Sequence, residues 1–214
     1  PIFDKKREKE ILKNISNKAK QLGLDVNSVS DVFGAIFQDS RSEQQKQMGK
    51  VECSVKKIGL IGFGRFGKLI VRHLSNDFDF YVYDKSANKN EIKNNNAVPS
   101  SLRELCQRDI VILAVPISEL KSVLNDIRNL LKKDILVVDV CSVKEYPIKL
   151  MKDILPKSVQ ILGTHSMFGP DTAYDSLEGG KIVLCKVRIQ NKFYLQIKRF
   201  LESKQLAVIE ATAR

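Results

Sequence analysis

The chain has 214 residues, of which 43% are hydrophobic, a composition typical of a globular protein with a sizeable core. The formal net charge of +11 does not favour nucleic-acid binding, because the lysines are mixed with acidic residues and form no basic stripe interleaved with aromatic residues. No apolar run could span a membrane, no signal peptide opens the chain and no Cys-x-x-Cys pair occurs, which predicts a cytoplasmic protein with reduced thiols and no metal.

Residues 1–50 are predicted to form a helical segment. Apolar residues recur at helical spacing over residues 9–22 and again over residues 29–37, with a glycine between the two runs. Ser30 or Asp31 is the predicted cap near the start of the second helix. We therefore place a domain boundary after residue 50, where the composition becomes polar.

A glycine pattern dominates the start of the second domain, residues 51–214. An apolar run leads into Gly62-x-Gly64-x-x-Gly67, an amphipathic run follows, and a second apolar run ends at Asp84. This order is typical of a dinucleotide-binding βαβ unit. The first glycine would allow the tight turn, the second the approach of a pyrophosphate, and the third a close contact between helix and strand.

Asp84 indicates which dinucleotide this unit binds. It follows the glycine pattern at the spacing of a carboxylate that accepts hydrogen bonds from the adenosine ribose. Its charge would repel the 2′-phosphate of NADP, so the sequence favours NAD. The predicted cofactor-binding residues are Gly62, Phe63, Gly64, Arg65, Phe66, Gly67, Asp84, Ala114, Val115 and Pro116.

From residue 55 onward, predicted strands alternate with predicted helices. Continuous Val, Ile and Leu runs between helices are typical of a parallel sheet that is covered on both faces. We therefore predict an α/β fold, a Rossmann-like, doubly wound and mostly parallel sheet, preceded by an all-α segment. Beyond the first βαβ unit, strands are predicted over 110–115, 135–140, 159–162, 181–187 and 206–209, and helices over 101–107, 117–131, 145–155 and 192–203, with a loop over 86–96.

Candidate catalytic residues follow the predicted strands, since ligands of such sheets lie beyond the carboxyl ends of the strands. His165 follows the strand 159–162, and an imidazole can take the proton of a hydroxyl whose carbon loses hydride. The alternative is a histidine held by hydrogen bonds within a turn. Ser142 could cap the helix that begins near Lys144 or donate to substrate or nicotinamide, and both interpretations stay open. His73 is predicted to be structural.

From about residue 56 to its end, the sequence resembles the nucleotide-binding half of prephenate dehydrogenases. The resemblance rests on residues 58–67, 109–116 and 139–144, and above all on Thr164-His165-Ser166-Met167-Phe168-Gly169-Pro170, where Ser166 replaces the usual proline. It implies NAD-dependent oxidative decarboxylation of prephenate to 4-hydroxyphenylpyruvate in tyrosine biosynthesis. His165 would accept the hydroxyl proton, and Ser142 would help to hold His165 and the hydroxyl.

The N-terminal segment resembles the later part of the all-helical chorismate mutases, which convert chorismate to prephenate. Asp4-x-x-Arg7-Glu8 and Ser40-x-x-x-Gln44 carry this resemblance. It implies that Arg7 binds a substrate carboxylate, Glu8 the substrate hydroxyl, and Gln44 the ether oxygen, with Ser40 on the same helical face. The alternative is a surface Arg–Glu pair and a polar helix end.

Together these resemblances imply a bifunctional chorismate mutase and prephenate dehydrogenase, homodimeric when full length. The chain begins without Met and stops at Arg214, before the family's helical dimerisation domain, so we expect a fragment that binds NAD with little of either activity. Two alternatives remain. One is an arogenate dehydrogenase or another NAD-dependent dehydrogenase, and the other is a non-catalytic dinucleotide-binding module whose N-terminal helices dimerise.

Overall fold

The computed structural model describes residues 5–47 and 55–213, and the chain divides into two compact units, residues 1–50 and 51–214. The helical unit contains α1 (Lys5–Gln21) and α2 (Val26–Gln47). The residues on both sides of the predicted domain boundary, 48–54, lie outside the described part of the chain.

The second helix of this unit begins earlier than the sequence predicts. Gly23, with a φ of 69°, ends the turn after α1, and Asp25 then caps α2. The Asp25 carboxylate accepts hydrogen bonds from the backbone N–H of Ser28 (2.8 Å) and from its hydroxyl (2.7 Å). The predicted cap at Ser30 or Asp31 is therefore wrong, because both residues lie inside the helix.

The second unit is built on one eight-stranded sheet with the order β3-β2-β1-β4-β5-β6-β7-β8. Strands β1 to β6 are parallel, β7 is antiparallel to β6, and β8 is parallel to β7. This arrangement confirms the predicted mostly parallel, Rossmann-like α/β fold. The strands are β1 (Lys57–Ile61), β2 (Asp79–Tyr83), β3 (Val98–Pro99), β4 (Ile110–Leu113), β5 (Leu136–Asp139), β6 (Gln160–Ser166), β7 (Lys181–Arg188) and β8 (Ala207–Glu210).

Helices cover both faces of this sheet. Neighbouring strand residues alternate between two apolar cores, so that Leu136 and Val138 pack on one face while Val137 packs on the other. The first core includes residues of α3 and α8, and the second those of α5, α6 and α7. The helices are α3 (Arg65–Leu74), α4 (Lys89–Asn94), α5 (Leu102–Leu105), α6 (Ile117–Ile127), α7 (Glu145–Ile154) and α8 (Asn191–Ser203).

Two stretches depart from the predicted elements. The stretch 86–96 contains the short helix α4, which begins because the side chain of Asn88 accepts the backbone N–H of Asn90 at 2.9 Å. Strand β6 continues to Ser166, four residues beyond its predicted end, because β7 pairs with the extension from the opposite direction. His165 is therefore part of a strand and does not follow one.

Candidate functional site

The carboxyl ends of four neighbouring strands form one row across the sheet. The register places Ile61, Leu113, Asp139 and Gly163 side by side at or near the ends of the parallel pairing of β1, β4, β5 and β6. With about 4.8 Å between neighbouring strands, this row spans about 14 Å. The strand order reverses between β1 and β4, and nucleotides bind at this switch point in doubly wound sheets.

Each glycine of the loop after β1 meets a different requirement. Gly62 has a φ of 98°, and a Cβ there would clash with the backbone carbonyl of Ala114. A Cβ on Gly67 would clash with the carbonyl of Gly62, so this glycine allows α3 to approach the loop. At Gly64 a Cβ would meet nothing within 4 Å. The space beside Gly64 is open, and the backbone N–H groups at the start of α3 can receive a pyrophosphate there.

Asp84 connects the glycine loop to the end of β2. Its carboxylate accepts the backbone N–H of Phe63 at 2.7 Å through one oxygen, and those of Ser86 (2.7 Å) and Ala87 (2.9 Å) through the other. Burial acts to raise the pKa of Asp84, but these hydrogen bonds outweigh it and hold that pKa below its ordinary value. The ionised carboxylate is therefore fixed beside the loop, with lone pairs left for a ribose.

The segment after β4 lies against the glycine loop. The backbone N–H of Ala114 donates to the carbonyl of Ile61 at 2.8 Å, and α6 begins directly after Pro116. Gly62 donates in the same way to Tyr83 at 2.9 Å. The structure thus brings the predicted cofactor-binding segments 62–67, 84 and 114–116 together at one edge of the sheet.

Three of the predicted cofactor residues have side chains engaged within the protein. Phe63 is buried in the core, and Phe66 lines an apolar cavity of about 140 Å³ against the sheet. Arg65 forms an exposed ion pair with Asp171. At Phe63, therefore, only the backbone is available to a dinucleotide, whereas Arg65 would have to exchange Asp171 for a phosphate.

His165 lies on the part of β6 that extends beyond its pairing with β5. The pairing with β5 ends at Gly163, and beyond it β6 pairs only with β7, where His165 lies opposite Val183. The side chain is half-buried and makes no hydrogen bond or ion pair with the described residues. Its imidazole is thus available for contact with a bound molecule.

A buried ion pair lies at the end of β5, and sequence reasoning missed it. The Asp139 side chain is fully buried and that of Lys144 is 9% exposed, and the ammonium contacts Oδ1 of Asp139. Burial raises the pKa of Asp139, although the charge of Lys144 opposes this effect. The available signal was an aspartate that directly ends a Val-rich run, followed five residues later by a lysine.

Ser142 is exposed in the turn between this aspartate and α7. The helix begins at Glu145 with Lys144 as its N-cap residue, and no side chain caps it. The predicted capping role of Ser142 is therefore wrong, because the serine lies two residues before the cap position. The other interpretation, that its hydroxyl donates to substrate or nicotinamide, stays a prediction.

The loop that follows His165 is attached to α3. Nε2 of His73 lies 2.7 Å from the carbonyl oxygen of Ala173, and the guanidinium of Arg72 stacks 3.8 Å from the ring centre of Tyr174. His73 therefore fastens a loop to a helix, as its predicted structural role requires.

The predicted mutase residues lie in the helical unit. Arg7 and Glu8 belong to α1, and Ser40 and Gln44 to α2. Their side chains lie outside what the structure describes.

Within residues 5–47 and 55–213, no group of three or more His, Cys, Asp or Glu residues could hold a metal ion, and no helix is long and apolar enough to cross a bilayer. Cys106, Cys141 and Cys185 are free thiols. Burial raises the pKa of Cys106 to about 12, which suppresses its reactivity.

Solved structures with the same fold include dehydrogenases. Prephenate dehydrogenase from Aquifex aeolicus, crystallised with hydroxyphenyl propionate and NAD+, superimposes with a TM-score of 0.62 at 22% identity, over 76% of this chain and 62% of that one. An arogenate dehydrogenase from Synechocystis gives a TM-score of 0.63 at 19% identity, over 73% and 60% of the two chains. At these identities the likeness establishes the fold.

Sequence comparison identifies the family. Arogenate dehydrogenase 2 of Arabidopsis thaliana is 36% identical over 64% of this chain and 40% of its own length, and the T-protein of Haemophilus influenzae is 26% identical over 90% and 48%. The chain thus spans less than half the length of these relatives. Residues 1–45 match the chorismate mutase type II model, and residues 70–210 match that of the prephenate dehydrogenase nucleotide-binding domain. The resemblances predicted from the motifs are confirmed, and the chain belongs to the prephenate dehydrogenase family.

Proposed function

We propose that residues 51–214 supply the cofactor half of an NAD-dependent prephenate dehydrogenase, and that residues 1–50 belong to a fused chorismate mutase. The observation that carries this proposal is the position of His165. Its imidazole has no hydrogen bond within the described structure. It lies on an extension of β6, on the side of the sheet where the carboxyl ends of the parallel strands and the glycine loop lie. A proton acceptor at this edge, beside a dinucleotide site, fits oxidation of a hydroxyl-bearing carbon.

The residues at this edge fit NAD. The open space at Gly64, the N-terminus of α3 and the ionised Asp84 would receive its pyrophosphate and its adenosine ribose, and the segment 114–116 would border its nicotinamide end. The fixed carboxylate would repel the 2′-phosphate of NADP. When bound, NAD would accept the hydride.

His165 and Ser142 would act on prephenate itself. His165 would accept the proton of the ring hydroxyl as its carbon loses hydride, and Ser142 would hold both the imidazole and that hydroxyl. Loss of carbon dioxide makes the ring aromatic, which drives the reaction. The protein therefore has mainly to position the substrate and to polarise the hydroxyl.

Arogenate is the alternative substrate, because relatives with 36% and 34% identity are named arogenate dehydrogenases. The two compounds can be compared by following NADH formation with a full-length version of the protein. We expect a higher kcat/KM with prephenate. A preference for arogenate would reassign the substrate, whereas the absence of NADH with both compounds, in a folded protein that binds NAD, would refute the dehydrogenase.

The mutase activity can be tested by the disappearance of chorismate. Arg7 would bind a carboxylate of chorismate, Glu8 its hydroxyl and Gln44 its ether oxygen, with Ser40 as a further substrate residue; the match of residues 1–45 to the chorismate mutase family supports this proposal. We expect Gln44→Ala to lower the rate of chorismate loss without affecting NADH formation from prephenate. A mutase rate unchanged by this substitution would argue against the role of Gln44.

We further propose a cytoplasmic homodimer that binds small molecules and neither nucleic acid nor membranes. The family resemblance supports the dimer, and the mixing of lysines with acidic residues argues against nucleic acid as a partner. Light scattering of the full-length protein would measure its mass, and a monomeric mass would contradict the dimer.

A further inference from the structure

The buried pair formed by Asp139 and Lys144 flanks Ser142 in sequence, and Lys144 contacts the backbone of Thr164, the residue before His165. We propose that it is a positioning device that fixes the turn carrying Ser142 against the strand carrying His165. This inference rests on the proposed dehydrogenase function, and it adds two residues that do not themselves contact the substrate.

Lys144 reaches across from one strand to the next. Its ammonium contacts Oδ1 of Asp139 at the end of β5 and donates to the backbone carbonyl of Thr164 in β6 at 2.6 Å. Thr164 directly precedes His165. A single buried ammonium therefore connects the aspartate that begins the Ser142 turn with the backbone next to the imidazole.

Asp139 shapes both sides of this connection. Its Oδ1 accepts the backbone N–H of Cys141 at 3.0 Å, which folds the turn immediately before Ser142. Its backbone carbonyl accepts the hydroxyl of Thr164 at 2.8 Å. The turn and the strand are thus joined by side-chain contacts from each direction.

The hydrogen bonds of Lys144 and Thr164 lie just beyond the last backbone pairing between β5 and β6. The last register pair between β5 and β6 joins Asp139 to Gly163, and the extension of β6 that bears His165 has no further partner in β5. On that side of β6, the hydrogen bonds of Lys144 and Thr164 take the place of ladder bonds. Without them, the His165 segment would be held by β7 alone.

The composition of the pair favours a positioning role over a purely stabilising one. Removing two charges from water is costly, and well-packed apolar residues often stabilise a fold as much or more. Moreover, Oδ2 of Asp139 is buried without a hydrogen-bond partner and faces Gly163, where an added Cβ would lie 3.3 Å away. The free-energy cost of burying these groups falls where the proposed function requires a fixed distance and orientation between Ser142 and His165.

A double-mutant cycle separates positioning from stability. Lys144→Met and Asp139→Asn each leave one buried group without its partner, whereas the double variant removes both charges. We expect the unfolding midpoint to fall in each single variant and to recover in the double variant. In a full-length version, kcat with prephenate should fall about tenfold to a hundredfold in Lys144→Met and stay low in the double variant, because the link to Thr164 is still missing.

The KM for NAD should stay within about twofold of that of the unsubstituted protein in the same variants, since the glycine loop is not affected. The matched control is Lys149→Met with Asp153→Asn, which removes an exposed ion pair from α7. It should change neither kcat nor the unfolding midpoint. Recovery of kcat together with stability in the double variant would overturn the proposal and leave the pair a structural one.

A second measurement does not require activity. The chain has two histidines, so the ring signals in the NMR spectrum of histidine-labelled protein come from His73 and His165. We expect the His165 signals, assigned by their loss in His165→Asn, to shift in Lys144→Met and in the double variant while those of His73 stay in place. If they do not shift, the inference fails. If the unsubstituted full-length protein does not oxidise prephenate, the proposed function fails instead.

Discussion

The two ends of the candidate site are built in different ways. At the glycine loop, the contacts come mainly from the backbone: Gly62 donates to Tyr83, Ala114 donates to Ile61, and Asp84 accepts three backbone N–H groups. At the other end of the row, side chains make the contacts, and the central ones are the buried charges of Asp139 and Lys144.

This difference determines how each end can fail. A site formed by the backbone needs glycines that leave room for close approach, so it is damaged when a side chain is added to one of them. A site held by buried charges depends on complete pairing, so it is damaged when one partner is removed and the other stays behind. The two ends should therefore respond to opposite kinds of substitution.

The largest effect is expected at His165. Replacing it with Asn in a full-length version removes the proton acceptor and should lower kcat with prephenate by about a hundredfold to ten-thousandfold. Calorimetric titration should show NAD affinity unchanged, because the glycine loop lies at the other end of the row. Activity at the unsubstituted level would show that His165 is not the proton acceptor.

His73→Asn is the matched control for this prediction, since it changes the chain's other histidine. It removes the contact with Ala173 and should cost about 1 kcal/mol of unfolding free energy while leaving kcat nearly intact. An equal loss of activity in both variants would indicate a general effect on the fold.

The next effect comes from adding one methyl group at different glycines of the same loop. Gly67→Ala places a Cβ against the carbonyl of Gly62, which should cost about 2–3 kcal/mol in urea unfolding and abolish NAD binding. Gly64→Ala meets open space and should leave stability unchanged, yet weaken NAD by about tenfold or more, because the methyl group stands where the pyrophosphate approaches. Undiminished NAD affinity in Gly64→Ala would place the dinucleotide elsewhere.

The contrast between the two ends also explains what the sequence could predict. The glycine loop was predictable because its requirements are local: a strand, three glycines and a helix follow one another within a short stretch. The alternation of strands and helices was predictable for the same reason, since apolar periodicity is a property of neighbouring residues.

The His165 end depends on distant pairings. Strand β6 extends to Ser166 because β7 pairs with it in antiparallel orientation. No pattern within residues 160–166 predicts this pairing. The contact of Lys144 with Thr164 depends on two strands lying side by side in register. The histidine was predictable from its motif, but the ion pair of Asp139 and Lys144 was not, because it depends on the tertiary structure.

A smaller effect is expected at Asp84, where a side chain serves the backbone-built end. Asp84→Ala should weaken NAD by about tenfold or more, as expected for hydrogen bonds to a charged acceptor, and weaken NADP less, because repulsion of the 2′-phosphate is also removed. Asp84→Asn keeps one oxygen for the N–H groups of Ser86 and Ala87 but turns an amide NH2 toward the N–H of Phe63, so it should weaken NAD as well. Equal losses for the two cofactors would refute the ribose assignment.

The smallest effect is expected at the exposed ion pair of Arg65 and Asp171, which provides the counterpart of the buried pair. Both side chains are more than 70% exposed, at 72% and 77%. Water and salt screen such a pair, so Asp171→Asn should change the free energy of unfolding by less than about 1 kcal/mol, whereas breaking a buried pair costs about 3–5 kcal/mol.

Arg65→Ala and Asp171→Asn should differ in NAD binding, because Arg65→Ala removes a cation beside the proposed pyrophosphate site while Asp171→Asn frees that cation. Affinity should therefore fall in the first variant and stay level or rise in the second, with both differences diminishing as salt is added. A matched loss in both would mean that the pair serves to hold the loop after His165, and that Arg65 does not contact the cofactor.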